Sequence, residues 1–347
     1  MLTYFIRRIL MVIPTFILIT FLVFTVYRFV PGGPVEMAVV KYKQMQSTGE
    51  LGSAGTSGSN EEVGKMSEEM MEKLKKIYGF DKPFYVGYAQ WLYRLVIKQD
   101  MGESDRYSRP VWDVIKERFP ISLRFGLIGF ILSYSVCIPL GVWKAIKHGT
   151  KFDITSSAIV FIGYSVPGWV IGIVLLVYLG GGSFWDVFPL GGIHSQGYES
   201  LDFWGKVWDN IYHMILPAFC YMMGSFASMT MLMKNSLMEN LGMDYVRTAF
   251  AKGLSEKVVI FKHALRNSII PIATGLGQLF SLVLAGSFLI ERVFNIHGFG
   301  LLGYNSLMDR DYPVMLGVLV IAALLRLVGN IISDFLYCVI DPRIRLD

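Results

Sequence analysis

Charge is what this chain has least of. Asp, Glu, Lys and Arg supply 17% of its 347 residues, where a soluble domain typically carries about 25%. Apolar types make up 53% and the mean hydropathy is +0.48, so the deficit points toward a bilayer. The formal net charge of +5 does not argue for nucleic acid, because the basic residues form no single patch. A disulfide framework is excluded as well. Cys137, Cys220 and Cys338 each lie inside an apolar run with no partner at CxxC spacing, and they read as small packing residues.

Signatures of chemistry are also missing. There is no GxSxG nucleophile elbow and no HExxH pair, and His148, His194, His213, His263 and His297 fall at no close metal-ligand spacing. A membrane-bound enzyme therefore lacks a convergent catalytic set. GSNEEVGK (58–65) mimics a phosphate loop, but its glycine spacing is one residue too long and Met66 replaces the required Ser/Thr. GFGLLG (298–303) has GxGxxG spacing, yet it lies between two apolar runs rather than in a βαβ unit. A stand-alone secondary carrier or channel would need an inverted repeat or a charged relay through several spans. Neither is visible.

Long apolar runs are what the chain has in abundance. A span needs roughly 20 mainly apolar residues, and six segments qualify, at about 9–30, 121–143, 156–179, 213–233, 268–290 and 313–339. The first begins like a signal peptide at Arg7-Arg8, but it is too long and ends in PGGP (31–34) rather than a small-residue cleavage site. Six spans place both termini on one side. With the N terminus inside, the segments 1–8, 144–155, 234–267 and 340–347 hold 13 Lys/Arg. The two short outer loops hold only Lys206, Arg292 and Arg310, among seven acidic residues. The positive-inside rule then makes both termini cytoplasmic.

Between the first two spans lies an outer segment, 31–120. Its Gly/Ser/Glu-rich stretch around 49–65 predicts a mobile loop. Ser67 reads as an N-cap with Glu68 and Glu69 in the first turn, and Gly79 ends that helix. A second helix, from about Phe84 to Lys98, gathers Tyr88, Trp91, Leu92 and Leu95 on one face. That face suits either the membrane interface or the protein's own outer surface.

The inner segment 234–267 contains DYVRTAFAKGLSEKVVIFKHALRN (244–267), which reads as a short helix, a glycine break and a second helix. Val246, Ala249 and Phe250 lie at helical spacing on a narrow apolar face, with Arg247 and Lys252 around it. Gly253 fits a left-handed cap and Ser255 an N-cap for the next helix. Such a helix either docks into a groove on another protein or connects spans along the membrane surface. On the last span, Arg326, Asn330 and Asp334 share one face, as the wall of a translocation path or as a polar contact between helices. Gly168 and Gly172 make a GxxxG in the third span, read as helix packing. Lys234 and Arg124 sit near span ends and read as snorkelling cations.

Many stretches, in order and nearly end to end, resemble the permease subunits of dipeptide and oligopeptide ABC importers. YFIRRILMVIPTFILITFLVF with PGGP, QDMGESDRYSRPVWDVIKERFPISL, SVPGWVIGIVLL, KNSLMENLGMDYVRTAFAKGLSEKVV, HALRNSIIP, ERVFNIHGFGLLGYNSL and DPRIRL carry the likeness. The general ABC-importer coupling loop reads EAA-x3-G, then I-x-L-P after nine more residues. Anchored on Gly253, this chain has Arg247-Thr248-Ala249 and His263-Ala264-Leu265-Arg266 at those places, similar to the peptide-importer version. The PGGPVE start and the long outer segment look most like permeases for microcin C and related oligopeptides. Nickel importers use permeases of the same family.

The resemblance implies an all-α polytopic protein of the bacterial inner membrane, with about six transmembrane helices and both termini cytoplasmic. Residues 1–30 are then the first span, 31–120 a periplasmic segment, and 121–347 a five-span permease core. It implies a second permease, cytoplasmic ABC ATPases carrying ATP and Mg, a periplasmic binding protein and a peptide substrate as partners, with lipid around the spans. It assigns no cofactor, metal or catalytic residue to this chain. Asp244, Tyr245, Val246, Arg247, Thr248, Ala249, Phe250, Lys252 and Gly253 become the expected ATPase-coupling residues.

Overall fold

A computed structural model describes residues 2–29, 82–182, 184–274 and 287–340. The described residues are overwhelmingly helical and hold only two isolated bridges in place of strands. The helices are α1 (Leu2–Phe29), α2 (Phe84–Val96), α3 (Val111–Ile146), α4 (Lys151–Ser165), α5 (Gly168–Leu179), α6 (Phe203–Leu241) and α7 (Asp244–Ala251). A helical run, α8, covers 256–268 with π-helical turns over Val259–Ala264, and α9 (Ile270–Thr274), α10 (Phe288–Val293), α11 (Phe299–Met308) and α12 (Tyr312–Ile340) follow. Among these, α1, α3, α6 and α12 are long and apolar enough to cross a membrane, and α4 with α5 forms a fifth, bent candidate.

That bend corrects the straight span expected over 156–179. The axes of α4 and α5 differ by 96°. Proline disfavours helical backbone in the residue before it and brings no amide hydrogen of its own. Val166 is accordingly extended, at φ −110° and ψ 121°, and Pro167 caps the start of α5. Helix α6 is longer than the expected 213–233. It begins ten residues earlier because the Asp202 carboxylate accepts from the Gly205 N–H at 2.9 Å, a side-chain N-cap. For the expected span 268–290, only its two ends belong to the described residues. The loop around 49–65, the helix after Ser67, PGGP, GSNEEVGK and the C-terminal DPRIRL lie outside them.

The chain divides into two compact units. One comprises Met1–Val12, Lys116–Tyr304 and Ala322–Asp347, and the other Ile13–Ile115 and Asn305–Ile321. In the second unit, the C-terminal half of α1, α2 and the start of α12 share a largely aromatic core of Phe24, Tyr27, Tyr312 and Leu316, with Phe84, Tyr88 and Trp91 against it. The Phe24 and Trp91 rings lie 5.5 Å apart and Tyr27 meets Tyr312 edge to face at 5.4 Å. Tyr88 Oη donates to the Ile17 carbonyl at 3.0 Å, and Arg28 to the Lys82 carbonyl at 2.6 Å. The Tyr88/Trp91 face of α2 thus packs on the protein itself, the second of its two readings.

Asp311 organises the same unit. It stands at the head of α12, accepting from the Val314 N–H, and takes further bonds from the Ser104 hydroxyl at 2.5 Å and the Asp105 and Arg106 amides. Arg106 pairs with Asp309. One carboxylate therefore ties residues 104–106 to the head of α12, 207 positions downstream of Ser104.

Candidate coupling segment and buried polar clusters

Helix α7 is built as the spacing predicts, with one change of face. Its C terminus closes in a Schellman motif, in which the Leu254 N–H reaches the Ala249 carbonyl at 3.4 Å and the Gly253 N–H reaches the Phe250 carbonyl at 2.9 Å. Gly253 supplies the required left-handed backbone at φ +79°. Ser255 occupies the N-cap position of α8 without a side-chain capping bond. Val246 and Ala249 are buried in a core with Val142 and Ala145 of α3, Met233 and Leu237 of α6, and Val259 and Ala264 of α8. Phe250 is exposed instead of sharing that face. The expected apolar face is therefore split: Val246 and Ala249 anchor α7 to its own chain.

What α7 and α8 leave uncovered is a different set of apolar side chains. Tyr245, Phe250, Leu254, Val258 and Phe261 are all exposed, flanked by exposed Arg247, Lys252, Lys257 and Lys262. Tyr245 Oη bonds Asn240 at 2.8 Å, Thr248 Oγ1 bonds the Asp244 carbonyl at 2.9 Å, and Arg247 lies 3.6 Å from Asp244. Those local bonds stiffen the helix without occupying its outer face.

Next to this core lies a cluster that residue spacing did not reveal. Lys234 is not a snorkelling cation: it is buried, and its Nζ sits 2.8 Å from both carboxylate oxygens of Asp153 on α4. Lys144 of α3 is fully buried, 3.2 Å from Asp153 Oδ1 and bonded to Ser156 and Ser157 at 2.8 Å each. The Gly149 amide and His148 Nδ1 meet Asp153 Oδ2 at 3.2 Å. Arg124 is likewise engaged, donating to Asn210 Oδ1 at 3.0 Å. Lys234 and Asp153 lie 81 positions apart in the chain and Arg124 and Asn210 lie 86 apart, so local spacing did not announce either pairing.

A second buried carboxyl explains the glycines of GFGLLG. Glu291 is fully buried. Oε1 accepts from the Ser122 hydroxyl at 2.5 Å and Oε2 from the Leu301 N–H at 2.6 Å, while Ser122 itself accepts from the Phe299 N–H at 2.6 Å. A Cβ on Gly298 would lie 2.6 Å from the Glu291 carboxyl carbon, and one on Gly300 3.3 Å from Oε2. The glycines thus let the start of α11 wrap a carboxyl belonging to the same chain, the service such loops give phosphates elsewhere. Burial pushes the Glu291 carboxyl above the ordinary carboxylate range.

The remaining expectations divide in the same manner. Gly168 and Gly172 do serve packing, since a Cβ at Gly168 would meet the Cys220 carbonyl oxygen at 2.6 Å and one at Gly172 the Phe294 ring at 3.0 Å. Cys137 and Cys220 are buried free thiols. In the stripe on α12, Asp334 is taken by Arg8 of α1, Asn330 is half-buried and Arg326 is exposed. Asp334 is thus a helix-to-helix contact, and the three residues do not form one closed polar group.

Comparison with known proteins agrees with this architecture. The family described as the binding-protein-dependent transport system inner membrane component matches residues 137–346. The chain is 39% identical to the inner membrane ABC transporter permease protein YejB of Escherichia coli O157:H7, across 99% of both chains. It is also 39% identical to the peptidoglycan transport system permease protein YejB of Agrobacterium fabrum, across 99% of this chain and 98% of that one. With the oligopeptide transport system permease protein AppB of Bacillus subtilis it shares 35% identity across 99% and 100%. Among solved structures, an inward-facing form of the MetNI methionine ABC transporter aligns at TM-score 0.51 and 16% identity, over 66% of this chain and 96% of that one. The last likeness concerns fold alone. This chain belongs to the binding-protein-dependent transport system inner membrane component family. Its class is therefore the multi-pass inner-membrane permease of an ABC importer, a pore component and not an enzyme.

Proposed function

We propose that this chain is one of two permease subunits of an ATP-driven importer of oligopeptides. The observation that carries the reading is the α7–α8 helix pair, anchored inward by Val246 and Ala249 and presenting Tyr245, Phe250, Leu254 and Phe261 outward among cations. A helix held this firmly on one side and apolar on the other can transmit force from a partner that grips its outer face. In this reading both termini and α7 face the cytoplasm, and the partner is an ABC ATPase that binds ATP and Mg. Nucleotide binding pulls on α7 and turns the spans from inward- to outward-facing, and hydrolysis resets them. A periplasmic binding protein delivers the substrate. Relatives named for oligopeptide and for peptidoglycan transport support a peptide-bearing substrate, and microcin C-like oligopeptides are the finer assignment.

A mild-detergent pull-down of the tagged chain from native membranes tests the reading. A second permease and Walker-bearing ATPases, with ATP hydrolysis in the eluate, are the expected outcome; a chain recovered alone without ATPase activity sinks it. In the recovered complex, Arg247→Glu or Ala249→Pro uncouples hydrolysis from uptake. Uptake assays with oligopeptides and with peptidoglycan fragments then separate the substrates.

A further inference from the structure

The Asp153 cluster joins three helices through one carboxylate. Lys144 comes from α3, Asp153 from α4 and Lys234 from α6. The two lysines sit on the same helical turns that hold α7. Lys144 lies between Val142 and Ala145, Lys234 lies beside Met233 and Leu237, and all four apolar residues share a core with Val246 and Ala249. Any displacement of α7 is therefore applied first to the turns that carry the two ammonium groups.

The character of the contact decides what happens next. Apolar packing is non-directional and lets surfaces slide. A carboxylate held at 2.8 Å through both oxygens by one ammonium, and at 3.2 Å by a second, fixes direction as well as distance. Separating α4 from α6 would strand buried charge on both sides, which the interior strongly resists. The far end of α4 is the 96° break at Val166-Pro167, where the chain has already given up helical hydrogen bonds and where α5 begins its close packing on α6 through Gly168.

We infer that Asp153 is a positioning residue that makes α4 move together with α3, α6 and the coupling helix, so that the ATP-driven displacement reaches the α4–α5 break. The inference rests on the reading of α7 as the ATPase contact and adds the path by which its motion enters the membrane. Asp153 touches no substrate in this scheme. It acts by holding α4 in register with α6.

The test uses the whole importer in proteoliposomes, with the second permease, ATPases and binding protein, and reads peptide uptake per ATP hydrolysed. Asp153→Asn and the double variant Asp153→Asn/Lys234→Met are compared with wild type. Removing Lys234 along with the carboxylate relieves one of the two stranded charges, Lys144 keeping its bonds to Ser156 and Ser157, so the double variant should regain part of the thermal stability that Asp153→Asn loses. Its uptake per ATP should nonetheless stay roughly tenfold down, inside the span of about 5–150-fold typical of a coupling between sites. A double variant with the wild-type ratio overturns the inference and leaves Asp153 a purely structural counter-charge. Where neither variant assembles, spin labels at exposed Lys151→Cys and Lys257→Cys in the otherwise native chain decide. Their separation should be the same without nucleotide and with ATP bound, and a clear change overturns the inference. Wild-type uptake that does not depend on ATP would instead count against the coupling reading itself.

Discussion

Glu291 offers a perturbation whose size follows from counting donors. Its carboxylate takes the Ser122 hydroxyl and the Leu301 amide, and Ser122 in turn takes the Phe299 amide. Replacing Glu291 with Gln substitutes an N–H2 for one acceptor oxygen, so one buried donor loses its partner. Leaving such a group unsatisfied costs about 1–3 kcal/mol. Glu291→Ala strands the donors on both oxygens and opens a cavity, and about 4 kcal/mol is the expected loss. At about 2.1 cal/mol/K of unfolding entropy per residue, 1 kcal/mol moves the midpoint of this 347-residue chain by about 1.4 °C. The Gln variant should then melt about 1–4 °C low and the Ala variant about 6 °C low. The buried thiols of Cys137 and Cys220 supply the assay, since a fluorogenic maleimide labels them only as the protein opens. A Gln variant melting with wild type, or an Ala variant no worse than Gln, would refute the donor count.

The same residue sets a sign with pH. Burial raises the Glu291 pKa above its ordinary 4.5, so the folded state binds the proton more tightly than the unfolded chain. Stability from this group is fully present below the unfolded pKa and is lost as pH rises through the folded one. Wild type should therefore gain on acidification through that window relative to Glu291→Gln, and parallel pH curves would contradict the assignment.

Three further changes are informative. Gly253→Ala meets no atom within 4 Å, so its loss should be conformational only, about 1 kcal/mol, and Gly253→Asn should lose less; equal melting of all three proteins would rule out the left-handed cap. Gly168→Val drives a side chain into the Cys220 carbonyl, and overpacking of this kind costs about 1–3 kcal/mol; an unchanged melting curve would deny the close α5–α6 contact. Arg326→Leu should reduce uptake without loss of assembly if exposed Arg326 lines the path, and unchanged uptake would remove it from the path.

The parts of this protein legible in its sequence are those set by neighbours along the chain. Span length depends on apolar runs, and α1, α3 and α12 appear where the runs are. The Gly253 cap and the short helix before it depend on backbone freedom and a few adjacent side chains, and α7 begins and ends within two residues of the expected 244–253. The 96° break was also within local reach, because Pro167 was in plain view; hydropathy simply averages across it.

Tertiary structure decided everything that depends on who stands opposite. A lysine near a span end looks the same whether it reaches for water or for a carboxylate 81 residues away, so Lys234 read as snorkelling until Asp153 lay beside it. Glu291 and Ser122 are 169 positions apart, and the glycines of GFGLLG made sense only once the buried carboxyl they enclose was in place. Val246 and Ala249 carry an apolar face in any helix, but whether that face meets a partner or its own chain is settled by packing. Periodicity tells which side of a helix avoids water; it carries no information about what covers it, because burial is non-directional while the ion pairs and hydrogen bonds that choose partners act between residues far apart in sequence.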